Sequence, residues 1–201
     1  MIRIENLCLN YGKQVVFNNQ SLSIPDGSLV MVTGESGCGK TTLLKCIYGL
    51  NRNYQGIVDV AGAKMSFVNQ QCTLANSLTC RQNLCLVAGA DMKKAEELTE
   101  VLELGQQMDK YPGECSLGQR QKMMVLRCLI SNADIILADE PFSHLDLAGM
   151  KTVGNLLIDQ KQLGKTVIVA SHEDSLCKRA DLSVLIKNGC IEIAELQSNY
   201  C

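Results

Sequence analysis

Eight consecutive residues, Gly34-Glu35-Ser36-Gly37-Cys38-Gly39-Lys40-Thr41, fit the pattern G-x-x-x-x-G-K-[ST] of a phosphate-binding loop. Glycines let the backbone curl until successive N–H groups converge on phosphate oxygens. Lys40 can reach the β- and γ-phosphates of a nucleotide, and the Thr41 hydroxyl can ligate Mg²⁺. Far downstream, the apolar run Ile135-Ile136-Leu137-Ala138 ends in two acids, Asp139 and Glu140. Carboxylates at the C-terminal edge of a buried strand stand where open α/β sheets bind ligands. In that position Asp139 can hold Mg²⁺, through water, and Glu140 can orient or deprotonate an attacking water. His172 follows another apolar run, Val167-Ile168-Val169-Ala170-Ser171, and lies beside Glu140 if the two strands are neighbours.

These groups need strands and helices to carry them. Residues 28–33 read as the strand before the loop, and residues 42–50 as the helix after it, which is the context the loop requires. Ahead of them, Ile2, Ile4, Leu7 and Leu9 alternate with polar neighbours, as in a half-buried strand. Residues 15–17 and 21–24 read as short strands, and Pro25-Asp26-Gly27 as a turn, so the opening is antiparallel in character. Residues 56–60 and 65–69 are further strands, the second ending at Gln70. From residue 71 to about 132 the pattern turns helical. Ala95, Leu98, Val101 and Leu102 form one stripe over residues 91–104 with Asp91 as N-cap, and Ser116 caps a helix running to about Ile130. Residues 134–139 and 166–171 are buried parallel strands, separated by a helix over 147–163 that stops at Gly164. A short helix is expected over 173–180. Residues 182–187 and 190–194 pair around Asn188-Gly189, a strong hairpin turn. The fold class is therefore α/β: a mostly parallel phosphate-loop core (residues 1–70 and 133–201) with an N-terminal antiparallel region and an inserted helical subdomain (71–132).

Composition sets bounds. The chain has 201 residues, 46% hydrophobic and 20% charged, enough for one domain with a full core. A net charge of −2 gives no reason to expect bulk nucleic acid or an anionic membrane as partner. No apolar run reaches the length of a spanning helix and none resembles a signal core, so a membrane role would require a partner that spans. The 11 cysteines are scattered without any C-x-x-C, and only His144 and His172 could join them on a metal. They read as small, reduced hydrophobes in a cytosolic protein. Cys38 alone sits among the loop residues, and its alkylation is expected to block nucleotide binding.

With these residues in view, the chain resembles the ATP-binding subunit of an ATP-binding cassette (ABC) transporter over nearly its whole length. Gly34 to Thr42 match the Walker A loop, and Tyr11 resembles the aromatic residue that stacks on adenine. Gln70 matches the Q-loop glutamine, followed at family spacing by Leu78-Thr79 and Asn83. Cys115-Ser116-Leu117-Gly118-Gln119 resembles the signature, usually Leu-Ser-Gly-Gly-Gln. Asp139 and Glu140 match Walker B and the catalytic carboxylate, Ser143-His144-Leu145-Asp146 resembles the D-loop, and His172 matches the H-loop histidine.

The resemblance implies an ATPase with ATP and Mg²⁺ as ligands. Glu140, His172 and Gln70 would act in catalysis, and Thr41, Gln70 and Asp139 would hold the metal. Two subunits, identical or not, would sandwich ATP head to tail, with Ser116, Gly118 and Gln119 of one on the γ-phosphate held by the other's Lys40. His144 would lie at that dimer interface. The helical block would receive a separate membrane-spanning permease, placing the protein in the cytoplasm, peripheral to the inner face of the membrane. The size and single cassette resemble lipoprotein-releasing, macrolide or bacteriocin exporters, with no appended regulatory domain expected. The alternative is a soluble ABC ATPase that drives no transport, of the iron–sulfur assembly type. Glu35 is expected to turn its carboxylate away from phosphate. Cys115 and Leu117 depart from the signature, and Leu117 would weaken dimer closure if its backbone required φ > 0.

Overall fold

The computed structural model describes residues 1–71, 73–172 and 174–195. The chain enters through strands β1 (Ile2–Tyr11) and β2 (Gln14–Ile24), which pair antiparallel. Their alternation buries Ile2, Ile4, Leu7, Leu9, Phe17, Leu22 and Ile24 on one face. The two short strands expected in the second half of this ribbon are one continuous strand. Register shifts between Ile4 and Leu7 and between Leu7 and Leu9 let it pass its polar middle without breaking. Strand β4 (Gln55–Asp59) pairs with the other edge of β1, giving a three-stranded sheet in the order β2-β1-β4.

Strand β3 (Leu29–Thr33) leads into the phosphate loop and helix α1 (Lys40–Tyr48). The helix begins and ends two residues earlier than its sequence pattern suggests. Gly39 is its N-cap and Gly49, in the left-handed region, donates to Cys46 O and Lys45 O and closes it. With β5 (Met65–Val68), β6 (Ile135–Asp139), β7 (Thr166–Ala170), β8 (Leu182–Lys187) and β9 (Cys190–Glu195), β3 forms the main sheet, in the order β5-β6-β7-β3-β8-β9. Every pairing is parallel except the β8–β9 hairpin, which turns at Asn188-Gly189 with both residues at positive φ.

Strands buried on both faces have side chains serving two cores. Leu29, Met31, Ile136, Ala138, Val167 and Val169 join one cluster with buried side chains of helices α4 (Leu117–Leu129) and α5 (Leu147–Gln162). Val30, Val32, Ile135, Leu137, Ile168 and Ala170 face the opposite cluster, with Leu43, Leu44 and Ile47 of α1 and the inner face of the antiparallel ribbon. Near-continuous apolar runs are what such strands require.

The stretch between β5 and β6 holds α2 (Cys80–Cys85), α3 (Met92–Val101) and α4. Helix α2 has no counterpart in the sequence pattern; it is fixed by a capping box between Thr79 and Gln82. Asp91 caps α3 by accepting from Lys94 N. Ala95, Leu98 and Leu102 are buried as expected, but Val101 is exposed, because at about 100° from its neighbour Leu102 it falls at the edge of the stripe. Leu84, Ala95, Leu98 and Leu102 belong to the same cluster as the sheet, so this stretch is continuous with the core. The short helix expected after β7 is a 3-10 segment, Asp174–Arg179, and Glu173 lies outside the described residues. Among the described residues no helix is long and apolar enough to cross a membrane.

Candidate active site

The C-terminal ends of β3, β6 and β7 bring the sequence-predicted groups together. A cleft of about 340 Å³ is lined by Tyr11, Ser36, Gly37, Gly39, Lys40, Thr41, Thr42, Gln70, Glu140 and His172, together with Gln14 and Val16 of β2. Sequence reasoning missed the last two, whose side of the ribbon becomes visible only when the sheet is folded over the loop.

The loop is shaped by its glycines. Gly39 sits at φ 118, and a Cβ there would stand 2.9 Å from Val16 Cγ1. As N-cap it offers no side chain to the first N–H groups of α1, which leaves them for an anionic ligand. Lys40 Nζ is drawn back over the loop, donating to Gly34 O at 2.8 Å and Glu35 O at 3.2 Å. Glu35 thus contributes its carbonyl here while the residue itself is exposed. Cys38 is partly buried against the cluster under the loop, and a Cβ on Gly34 would meet its sulfur at 2.7 Å.

Glu140 follows β6 directly, and its N–H donates to Ala170 O at 2.8 Å, fastening it to the end of β7. The same pairing sets His172 beside it, as expected: His172 Nε2 is 3.5 Å from Glu140 Oε1 and 3.1 Å from Lys40 Nζ. Nε2 can accept from Lys40 only when the ring proton sits on Nδ1 and can donate to Glu140 only when Nε2 carries a proton, so the two contacts call for different tautomers of the ring.

Asp139 is fully buried, and neither carboxylate oxygen has a hydrogen-bond partner among the described residues. Burial pushes its pKa up. The Thr41 hydroxyl pulls it down, without meeting it in a well-formed hydrogen bond; Glu140 adds to the rise, and Lys45 and Lys40 oppose it. A buried, orphaned carboxylate beside the Thr41 hydroxyl, with the Gln70 amide lining the same cleft as Thr41, offers hard oxygen donors that fit Mg²⁺. Tyr11 stands half exposed at the rim, its hydroxyl accepting from Asn51 Nδ2 at 2.9 Å.

Ser116, Gly118 and Gln119 do not join this cleft. They line a second depression with Lys122, Glu103 and the turn His144-Leu145-Asp146. Ser116 caps α4 in a reciprocal box with Gln119, accepting from Gln119 N at 3.2 Å while Ser116 N donates to Gln119 Oε1 at 2.9 Å. Gly118 is there because nothing larger fits: a Cβ would lie 2.6 Å from His144 O. Leu117 is the first residue of α4 with a helical backbone, so no positive φ is imposed on it and the strain considered from sequence does not arise.

A sheet of this order, with a phosphate loop, paired acids, a histidine at the next strand end and a capped Ser-Leu-Gly-Gln helix start on a separate face, can be compared with known proteins. Residues 17–143 match the ABC transporter family. This chain belongs to the ABC transporter family. An ABC transporter ATP-binding protein of Methanocaldococcus jannaschii is 32% identical, with 98% of this chain and 99% of that protein aligned. The macrolide export ATP-binding/permease protein MacB of Campylobacter jejuni is 31% identical over 94% of this chain but only 33% of its own length. Among solved structures, a dimeric bacterial ABC transporter cassette superposes with a TM-score of 0.90 at 28% identity, and a dimeric cassette in a post-hydrolysis state with ADP and Pi bound superposes with 0.89 at 27%. In both, 98% of this chain and 99% of the other are covered. The cassette is an ATP-binding and ATP-hydrolysing subunit of ABC transporter type.

Proposed function

We propose that the cassette hydrolyses Mg·ATP between two head-to-tail subunits and so powers a separate membrane-spanning permease from the cytoplasmic side. The observation that carries the metal-dependent part is the orphaned Asp139 carboxylate beside Thr41, itself a lining residue of the phosphate cleft. Asp139, Thr41 and Gln70 would hold Mg²⁺, which when bound supplies neutralisation of phosphate charge. Lys40 leaves the Gly34 and Glu35 carbonyl oxygens for the β- and γ-phosphates. The free N–H groups at the start of α1, from Lys40 to Thr42, and the loop residues Ser36 to Gly39 wrap the phosphates. Tyr11 stacks on the base.

Glu140, partly buried at the cleft edge, orients the attacking water and takes its proton. His172 fixes the γ-phosphate from its place between Lys40 and Glu140. The signature residues Ser116, Gly118 and Gln119 lie apart from the chain's own cleft, which supports their acting on the nucleotide of a second subunit. The start of a capped helix is a suitable surface for a γ-phosphate. Residues 71–132 would act as the helical subdomain that meets the permease.

Size-exclusion chromatography with light scattering, on wild type and Glu140→Gln with and without Mg·ATP, tests this reading. The variant is expected to become an ATP-dependent dimer with turnover cut to a small residual rate, while the wild type turns ATP over and stays mostly monomeric. A variant that hydrolyses ATP at the wild-type rate would remove Glu140 from the role given to it. Absence of a dimer in the variant would remove the homomeric sandwich.

A further inference from the structure

Helix α4 begins with the signature and carries a buried glutamine one turn further in. Gln121 is 3% exposed, and its Nε2 donates to the main-chain carbonyl of Glu140 at 3.3 Å. The same oxygen accepts from Ser143 Oγ at 2.9 Å and Ser143 N at 3.2 Å. Glu140 itself sits at φ 49, in the left-handed region. A residue with a side chain keeps that conformation only where its surroundings hold it there, and such residues cluster at functional sites. Here the surroundings are Ala170 O on the N–H side and Gln121 and Ser143 on the carbonyl side.

Of the two groups on the carbonyl side, Gln121 is the one that comes from another secondary element, helix α4. Its helix is anchored by Met123, Met124, Val125 and Leu126, all buried, and is capped at Ser116. A shift of the signature end of α4 therefore moves the amide that bears on Glu140.

We propose that Gln121 is a positioning residue for Glu140: its amide holds the left-handed peptide that aims the carboxylate and ties that aim to the placement of the signature. The inference rests on the reading of Glu140 as the group that activates water. In a head-to-tail pair, the signature of one subunit lies on its partner's nucleotide. The Gln121 bond then makes each subunit's own carboxylate responsive to the ATP its partner holds.

Gln121→Met and Gln121→Glu, in the full chain, preserve side-chain length and remove the donated N–H. Turnover is expected to fall by about tenfold to a hundredfold at saturating Mg·ATP, as for a reacting group misplaced by a fraction of an ångström, with KM changing by less than about twofold. In the Glu140→Gln background, Gln121→Met is expected to leave ATP-dependent dimerisation and residual turnover unchanged. Unchanged kcat in both variants, a matching loss of dimerisation, or an additive loss of turnover on top of Glu140→Gln would overturn the proposal. So would loss of the folded state in both variants by circular dichroism, which would make Gln121 a packing residue. If Glu140→Gln alone retains wild-type turnover, the reading of Glu140 fails first, whatever Gln121 does.

Discussion

The Asp139 carboxylate lies at zero exposure with no hydrogen-bond partner among the described residues, and burial holds its pKa above the ordinary carboxylate value. The folded chain thus binds this proton more tightly than the unfolded one. Its contribution to stability is fully present below the unfolded pKa of about 3.9 and is lost as pH rises through the folded value. Asp139→Asn removes that loss. The metal-free variant is expected to melt above wild type at neutral pH, by about 1–3 kcal/mol for removing a buried, unpaired titrating carboxylate, each kcal/mol being about 2–4 °C in a chain of this size. The gap should close as pH is lowered toward about 4. The same variant should lose the rise in Tm that Mg·ATP gives the wild type; differential scanning calorimetry with and without Mg·ATP reads both, and a lower metal-free Tm would count against the argument. Lys40→Ala removes a cation now held by two carbonyl oxygens at the cleft. Titration with a fluorescent ATP analogue should show Kd weakened by about 10- to 100-fold, the worth of one charge-assisted bond. These residues were legible in the sequence because phosphate and metal chemistry demands particular types at fixed short spacings. Gln121 was not. Its partner is a main-chain carbonyl on another element, and a glutamine in an amphipathic helix gives no sign that it faces inward.

Two joints between elements carry consequences of their own. Gly118 starts α4 against the main chain of the turn before α5, where a Cβ would lie 2.6 Å from His144 O, a backbone atom that cannot rotate aside. Gly118→Ala is expected to displace the start of α4 or that turn and to abolish ATP-dependent dimerisation in the Glu140→Gln background. Nucleotide affinity of the single subunit should be unchanged, because Gly118 lies outside the phosphate cleft. Equal losses in both assays would place Gly118 in the fold rather than the interface. The second joint is Lys94, whose Nζ donates to Leu129 O at the end of α4 and to Gln160 Oε1 of α5 at 2.8 and 3.1 Å. Lys94→Met leaves a buried glutamine oxygen and a helix-end carbonyl unpaired, and equilibrium urea unfolding should register a loss of about 1–3 kcal/mol. The strands of both sheets and the longer helices were readable from period and caps. Helix α2 was not, because six residues are too few to show a period, and the polar middle of β2 masked the strand's continuity. The inward side of α3 was readable except at Val101, where two adjacent apolar residues, Val101 and Leu102, left the edge of the stripe undecided.

At the scale of the whole molecule, the order of the main sheet sets the site. The phosphate-loop strand β3 is flanked by β7 and β8, the acids come from β6, and the histidine follows β7. Sequence alone gave the strands but not this order; the order follows from pairings between residues more than a hundred positions apart, such as Val30 with Ile168 and with Leu182. The separation of the phosphate cleft from the signature face likewise belongs to the whole chain, and it supports the proposal that one subunit's motifs are completed by another's. The same order has a consequence in time. A chain emerging from the ribosome presents its phosphate loop early, with the antiparallel ribbon already able to form from neighbouring residues, yet neither strand that braces β3 has been made. Until residues 166–187 have left the exit tunnel, the loop hangs from an unpaired strand, the Glu140 N–H has no Ala170 carbonyl to meet, and ATP has nothing to bind that resembles the finished cradle. Nucleotide can therefore stabilise the finished chain but cannot template its early folding, and a nascent chain stalled before β7 would remain blind to ATP for as long as it waited.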